Sequence, residues 1–491
     1  MVFFFAGLFF IIFIQYFLNI YYFSGDVFLN LVYILSFITI FTVGFNIGRM
    51  EDSIKSEIVL GFIITVLISS IISVWIQLHQ WLLLEGNIWV VDMRPGDRPF
   101  ANMAQPNQLS TLLIMGLISI LYLFEKNKIN SISASLVTVF ILFGIVLAQS
   151  RTAWVFLIFL LTWWFIKNKQ VKMRTHPYYL IIWGGVFLSL WSFIPKLSEF
   201  LGTSSLQTAL ERATTGLDRL YQWKQILFIL RDSPFLGYGW GQLNVAQLAN
   251  KTELLENPIL GYSHNLFLDL MIWNGVVLGL LISCFIILFF MKILFKLKDK
   301  ESIILLSLVG AIFIHSMFEY PFAYAYFLLP MGFVLGVVYA NQEVFSNFSF
   351  LNKKVYFLYI GSLLILMVFF VFDYKMLESE HDLMRYENVQ LRDVDIKGVE
   401  HKAILFNQLS EYIWFVRQPL DEDISAEKLE RIRKVVYRYP DRPVLYRYIQ
   451  ILYLNNREKE MQQILKLFNA FYKEQLTEKK IQKVLWEAKA K

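Results

Sequence analysis

The sequence predicts an all-α polytopic membrane protein of about eleven transmembrane helices, followed by a small helical domain outside the membrane. Three observations carry this. Hydrophobic residues make up 57% of the chain and charged residues only 17%, against roughly 25% charged in soluble domains. The first 372 residues are largely a succession of apolar runs, and a helix needs roughly 20 such residues to cross a bilayer. The basic residues sit in short clusters between those runs, on alternate connections.

In chain order the spans fall near residues 2–23, 28–48, 56–78, 107–125, 132–148, 152–167, 178–195, 264–290, 302–318, 323–341 and 355–372. Met1–Tyr22 is apolar, with no basic leading segment and no small-residue cleavage site, and reads as a retained helix rather than a signal peptide. One set of loops holds Arg49 and Lys55, Lys126 and Lys128, Lys167 to Arg174, Lys292 to Lys300, and Lys353 with Lys354. The alternate short loops hold only Arg94, Arg98 and Arg151. Cytoplasmic loops gather Lys and Arg, which puts the N-terminus in the cytoplasm and loops 79–106 and 196–263 outside. The net charge of +6 therefore belongs to membrane loops and excludes a nucleic-acid partner. Cys284 is the single cysteine, so no intramolecular disulfide forms.

With an odd number of spans, residues 373–491 also lie outside. Charges become dense there, and "VVYRYPDRPVLYRYIQILYLNN" followed by "REKEMQQILKLFNAFYKEQ" reads as amphipathic helices broken at Pro440. We expect a domain boundary near 372 and a helical domain beyond it, with tetratricopeptide-like hairpins as the narrower expectation.

The polar residues of the apolar region gather at outer helix ends, where ionisable groups are expensive and usually serve a purpose. "MRPGDRPFANMAQPNQLS" supplies Arg98, Gln105, Asn107 and Gln108 at the mouth of a span. Asn107 and Ser110 suit a helix cap; arginines with amides also suit sugar hydroxyls and phosphate oxygens. "AQSRTAW" sets Arg151 at a tight outer turn, as a headgroup anchor or a substrate cation. "ERATTGLDRLYQWKQILFILRDSPFLGYGWGQLN" lines Arg212, Arg219, Lys224 and Arg231 along a helix, either a solvated face or a grip on a diphosphate. Its "GYGWGQ" lacks the Lys-Ser/Thr of a nucleotide loop and reads as a close turn under an aromatic lid. "GYSHNLFLDL" places His264 at an outer span start, as a catalytic candidate. "HSMFEYPFAYAYF" places Glu319 and Tyr320 at an outer turn enforced by Pro321, as helix anchors or as groups that orient a base or a hydroxyl acceptor. No metal-ligand spacing appears, so no metal and no cofactor are expected.

These segments together resemble the O-antigen ligase/O-oligosaccharyltransferase superfamily of bacterial inner membranes. The resemblance rests on Arg98 with Pro106-Asn107-Gln108, Ser150-Arg151, Arg219 four residues before Trp223, the turn Gly237–Gln242, and Ser263-His264-Asn265. "HSMFEYPFAYAYFLLP" is more similar to the PglL-type protein O-oligosaccharyltransferases than to the lipopolysaccharide ligases. The resemblance implies an undecaprenyl-diphosphate-linked glycan as donor, used on the periplasmic face without metal, and a serine or threonine acceptor on a protein, type IV pilin in particular. It implies His264 as the essential histidine, Tyr320 and Gln108 as functional positions, with Gln105 as the alternative register, and Arg98, Arg151 and Arg219 facing the diphosphate.

The chemistry fits such a reaction. A glycosyl diphosphate leaves once fixed cations meet its developing charge, and the acceptor hydroxyl needs a base near neutral pH, which suits histidine. The expected reaction is an inverting displacement in which His264 deprotonates or orients the acceptor hydroxyl and Glu319 or Tyr320 positions that acceptor. A ligase onto lipid A–core and a glycan polymerase share the donor and stay as alternatives. A transporter would place its polar residues near the bilayer midplane instead.

Overall fold

The computed structural model describes residues 2–94, 96–203, 218–250, 259–342, 353–388 and 403–489. Among them it holds nineteen α-helices and no strand, as the membrane-type composition requires. The helices before the first long connection are α1 (Val2–Phe17), α2 (Ser24–Gly48) and α3 (Asp52–Trp81). There follow α4 (Pro106–Glu125), α5 (Ser131–Ala148), α6 (Arg151–Gln170) and α7 (Pro177–Leu201). Proline occupies the first turn of α4 and α7, where no intrahelical N–H is lost, and the Asn130 side chain caps α5 through Ser133 N.

After α7 come α8 (Asp218–Arg231), α9 (Leu243–Ala249), α10 (Leu266–Asn274), α11 (Val276–Lys296) and α12 (Lys300–His315). A short 3-10 turn at Pro321–Ala323 precedes α13 (Ala325–Ala340) and the long α14 (Lys353–Asn388). Seven helices are long and apolar enough to cross a membrane, namely α2, α3, α4, α5, α7, α11 and α14, and α1 and α13 are shorter apolar helices. The chain is thus a multi-pass membrane protein, and the expected eleven spans are reached only by adding helices shorter or more polar than a standard crossing.

The single span expected over 264–290 is two helices. Gly275 stands between α10 and α11 with φ at +80°, and a Cβ there would lie 2.0 Å from the Phe235 carbonyl oxygen. Only glycine fits that approach, and the break frees the carbonyls of Ile272 and Trp273. The Gly-rich turn receives them: Tyr238 N–H donates to Ile272 O at 2.9 Å and Gly239 N–H to Trp273 O at 3.1 Å. Trp240 stacks on Trp273 and donates to the Asn274 side chain at 2.8 Å. "GYGWGQ" is therefore a helix-end clamp, and its aromatic packs inward rather than forming a lid.

Small residues set the tightest crossing. Gly44 and Gly48 on α2 face Gly332 and Gly336 on α13, and a Cβ on Gly44 would come within 2.1 Å of Phe333 O. That approach suits helices in lipid, where close packing replaces the hydrophobic drive.

Helix α14 runs 36 residues, about 54 Å at 1.5 Å per residue, and so passes the expected boundary at 372 without interruption. Helices α15 (Asn407–Arg417), α16 (Ala426–Arg438), α17 (Arg442–Leu454), α18 (Glu458–Tyr472) and α19 (Glu478–Lys489) follow. Leu429, Ile432, Val435 and Val436 of α16 recur at helical spacing and are buried with Tyr448, Ile449 and Phe468 in a separate core. Pro440 separates α16 from α17 as the sequence predicts. This region is pinned to the membrane helices by polar contacts. Arg438 holds the buried Asp26 of α2 with two bonds of 2.9 and 2.8 Å, and Gly25 N–H donates to the Asn407 side chain at 2.8 Å.

Candidate active site

The site begins with two chain segments stapled together. Pro321 ends the run of α12 and makes the chain turn over residues 316–320 before α13. The segment entering α10 lies against that turn. Leu266 N–H donates to Ser316 O at 2.9 Å, and Asn265 Nδ2 donates to Met317 O at 3.2 Å. The Asn265 Oδ1 also caps α10, accepting from Phe267 N and Leu268 N. Two residues earlier, Ser263 N–H donates to the fully buried Asp269 at 2.7 Å. These bonds hold His264 with φ at +58°, a left-handed conformation that costs a non-glycine residue on the order of 1–3 kcal/mol and persists where its surroundings impose it.

Glu319 is the hub. His264 Nδ1 meets its Oε2 at 2.6 Å, while Arg219 of α8 and Asn107 of α4 donate to its Oε1 at 2.5 and 3.1 Å. Its side chain is only 5% exposed, so its charge is met by protein groups rather than by water. Burial alone would push the Glu319 carboxyl up; the hydrogen bond and charge of His264, together with Arg219, outweigh this and hold it down at about 2. In the neutral imidazole, an ionised carboxylate on Nδ1 selects the tautomer with the proton on that nitrogen and leaves Nε2 with the lone pair. His264 Nε2 has no hydrogen-bond partner among the described residues. Arg219 spends a second N–H on Gln222 Oε1 at 2.8 Å and keeps the remaining donors of its fork. Trp223, one turn on, donates to Ser263 O at 3.1 Å and ties α8 to the His264 segment.

An aromatic row flanks the hub. Tyr320 lies edge-on to His264 at 5.0 Å and stacks on Tyr262 at 4.6 Å and Tyr324 at 5.9 Å, and Tyr324 meets Tyr326 at 5.3 Å. Burial pushes the Tyr320 phenol up to about 12, which keeps it protonated at neutral pH. Tyr326 at the far end donates to Gln108 Oε1. Behind the hub, His315 Nδ1 meets Thr111 Oγ1 at 2.8 Å in full burial.

Among the residues singled out from sequence, Asn107, Arg219, His264, Glu319 and Tyr320 converge directly, and Gln108 joins through the tyrosine row. Asn107 does not cap α4; its amide goes to Glu319. Gln105 sits half-buried at the N-cap position without a side-chain cap bond. Arg98 donates to the carbonyls of Ala148 and Gln149 at 3.2 and 3.3 Å, closing the end of α5. Arg151 is exposed at the first turn of α6. Lys224 and Arg231 are exposed on α8, and Arg212 lies outside the described residues. Asp269 and Gln222 went unnoticed in the sequence. A lone carboxylate in the apolar run "NLFLDLMIW", five residues after His264, was the available signal for Asp269.

The arrangement can bind an anion at the remaining donors of Arg219 and accept a proton at His264 Nε2. Comparison with known proteins meets the same segments. The chain matches the family models described as O-Antigen ligase over residues 136–283, Protein glycosylation ligase over 99–124, and Virulence factor membrane-bound polymerase, C-terminal, over 303–485. It is 31% identical over 482 residues to the ComP-specific O-oligosaccharyltransferase of Acinetobacter baylyi, covering 96% of this chain and 85% of that one. It is 29% identical over 455 residues to the General O-oligosaccharyltransferase of the same organism, covering 91% of this chain and 79% of that one. No solved structure matches the chain. An identity of 31% that extends along nearly the whole chain takes in the membrane helices, the Glu319 hub and the C-terminal helices alike, and on that ground this multi-pass membrane enzyme belongs to the PglL-type O-oligosaccharyltransferases, glycosyltransferases that move an oligosaccharide onto protein.

Proposed function

We propose that this chain takes a glycan from undecaprenyl diphosphate at the periplasmic face of the bacterial inner membrane and transfers it to a serine or threonine of a periplasmic protein, a type IV pilin in particular. The observation that carries the reading is the Glu319 carboxylate held between His264 and Arg219. It orients a base and a cation toward one small volume, which is what a displacement at a glycosyl diphosphate needs.

In this mechanism the acceptor hydroxyl oxygen attacks the anomeric carbon, its proton passes to His264 Nε2, and the bond from that carbon to the diphosphate oxygen breaks. The leaving diphosphate takes up the electron pair and is met by Arg219. A fixed donor of this kind lowers the barrier by about 3–4 kcal/mol. Glu319 acts through His264, holding its tautomer and stabilising the imidazolium. Single displacement inverts the anomeric centre, and a product with retained configuration overturns this mechanism.

The test is the intact mass of a type IV pilin co-expressed with this chain and a lipid-linked glycan pathway. A glycan-sized increase with wild type, lost with His264→Ala, is the expected result. An unmodified pilin beside well-expressed enzyme overturns the pilin assignment. The matches to ligase and polymerase family models favour a second reading, in which the acceptor is lipid A–core or the glycan itself. A shift of lipopolysaccharide length with no protein-bound glycan supports that reading.

A further inference from the structure

A cavity of about 670 Å3 lies far from the Glu319 hub, between α4, α5, α6 and α7. Its walls are apolar side chains such as Leu121, Leu142, Phe156, Leu160 and Trp183. Its exposed polar end, the mouth, is formed by Ser131, Arg174 and Tyr179, with the buried Thr175 behind them. The two ends of α4 separate the mouth from the active site. Asn107 at one end touches Glu319, and Phe124 at the other lies under the Arg174 guanidinium, 3.8 Å from its ring centre. Seventeen residues of helix put these ends about 25 Å apart.

The mouth is prepared for an anion. Arg174 donates to Phe124 O at 2.5 Å and has further N–H groups on its fork. The neighbouring carboxylate of Glu125 accepts from the backbone N–H groups of Arg174 and Thr175 at 2.9 and 2.5 Å, which holds the loop in place. The Thr175 hydroxyl is buried, has no hydrogen-bond partner among the described residues and belongs to a side chain that lines the cavity. A buried hydroxyl left so carries a desolvation penalty that a bound acceptor oxygen removes. Lys126 and Lys128 on the α4–α5 turn, with Lys169 and Lys172 before Arg174, make this end basic.

We propose that this cavity is a binding site for an anionic phospholipid, with one acyl chain in the apolar groove and the phosphate on Arg174 and Thr175. Basic pockets between membrane helices on the side of the positive loops bind such headgroups. The isoprenoid chain of the glycan donor fits less well, because its phosphates are used at the opposite end of α4 and its tail would leave Arg174 and Thr175 without an acceptor.

Native mass spectrometry of the full chain in detergent tests this with three probes: phosphatidylglycerol, phosphatidylethanolamine of the same acyl chains, and undecaprenyl phosphate. Wild type is expected to retain one phosphatidylglycerol in preference to phosphatidylethanolamine and to keep it against equimolar undecaprenyl phosphate. Arg174→Gln and Thr175→Val each weaken retention about tenfold, and Leu142→Trp, which fills the groove, abolishes it. Equal retention of the two phospholipids by wild type overturns the anionic site. Displacement of phosphatidylglycerol by undecaprenyl phosphate assigns the groove to the donor and overturns it equally. Both outcomes are read on wild type, so they stand even where a variant fails to fold.

Discussion

Arg98 and Arg219 carry the same expectation from the sequence, a cation facing a diphosphate, and both are half-buried. The fold gives them different partners. The Arg98 guanidinium faces the backbone carbonyls at the end of α5, where a basic side chain settles the free acceptors of a helix terminus. The Arg219 guanidinium faces a buried carboxylate that also holds His264. A cation on carbonyls mainly stabilises a helix end; a cation on a carboxylate beside a base makes a polarised site. The difference is therefore one of partner and not of residue type.

The deepest cut is expected at His264. His264→Ala should lower the transfer rate by roughly 10²–10⁴-fold, measured as initial rate on a fixed acceptor, with the melting temperature in detergent close to wild type. A rate within threefold of wild type would remove the histidine from the chemistry. Arg219→Lys should come next, at about 10²–10³-fold in rate, because a point-charge ammonium cannot keep both Glu319 and Gln222 while presenting a fork to phosphate. Arg98→Lys measured in parallel sharpens the comparison, since a change smaller than tenfold is expected there.

Glu319→Gln separates charge from shape. The carboxyl is held at about 2 against an ordinary 4.5, so its charge stabilises the folded state fully above pH 4.5. That contribution is lost as pH falls from 4.5 toward 2. The melting-temperature gap between wild type and Glu319→Gln should shrink as pH falls from about 4.5 toward 2. A gap unchanged at pH 3 would mean that the charge of Glu319 contributes nothing to the clamp. The smallest effect is expected for Arg98→Ala, about 1 kcal/mol of stability from the lost helix-end bonds, read as a lower melting temperature with the rate nearly kept. A rate loss matching that of Arg219→Lys would return Arg98 to the donor site.

Much of this protein can be read from residue order alone. Apolar runs of bilayer length declare α2, α3, α4, α5 and α7, since a backbone in lipid must satisfy its own hydrogen bonds and a long apolar run leaves it only helix. The amphipathic spacing of Leu429, Ile432 and Val436 and the stop at Pro440 declare α16 and α17 for a similarly local reason. His264 and Glu319 were visible because histidines and carboxylates are rare among apolar residues. What sequence could not supply was the partner of each group. Glu319 lies 55 residues from His264 and 100 from Arg219, and Asp269 lies buried under Ser263. The break at Gly275 depends on a turn from a distant connection docking against it. Periodicity is a local property of the chain, whereas a buried charge is assigned its role by whichever donors the packed helices bring within 3 Å, and only the tertiary structure decides that.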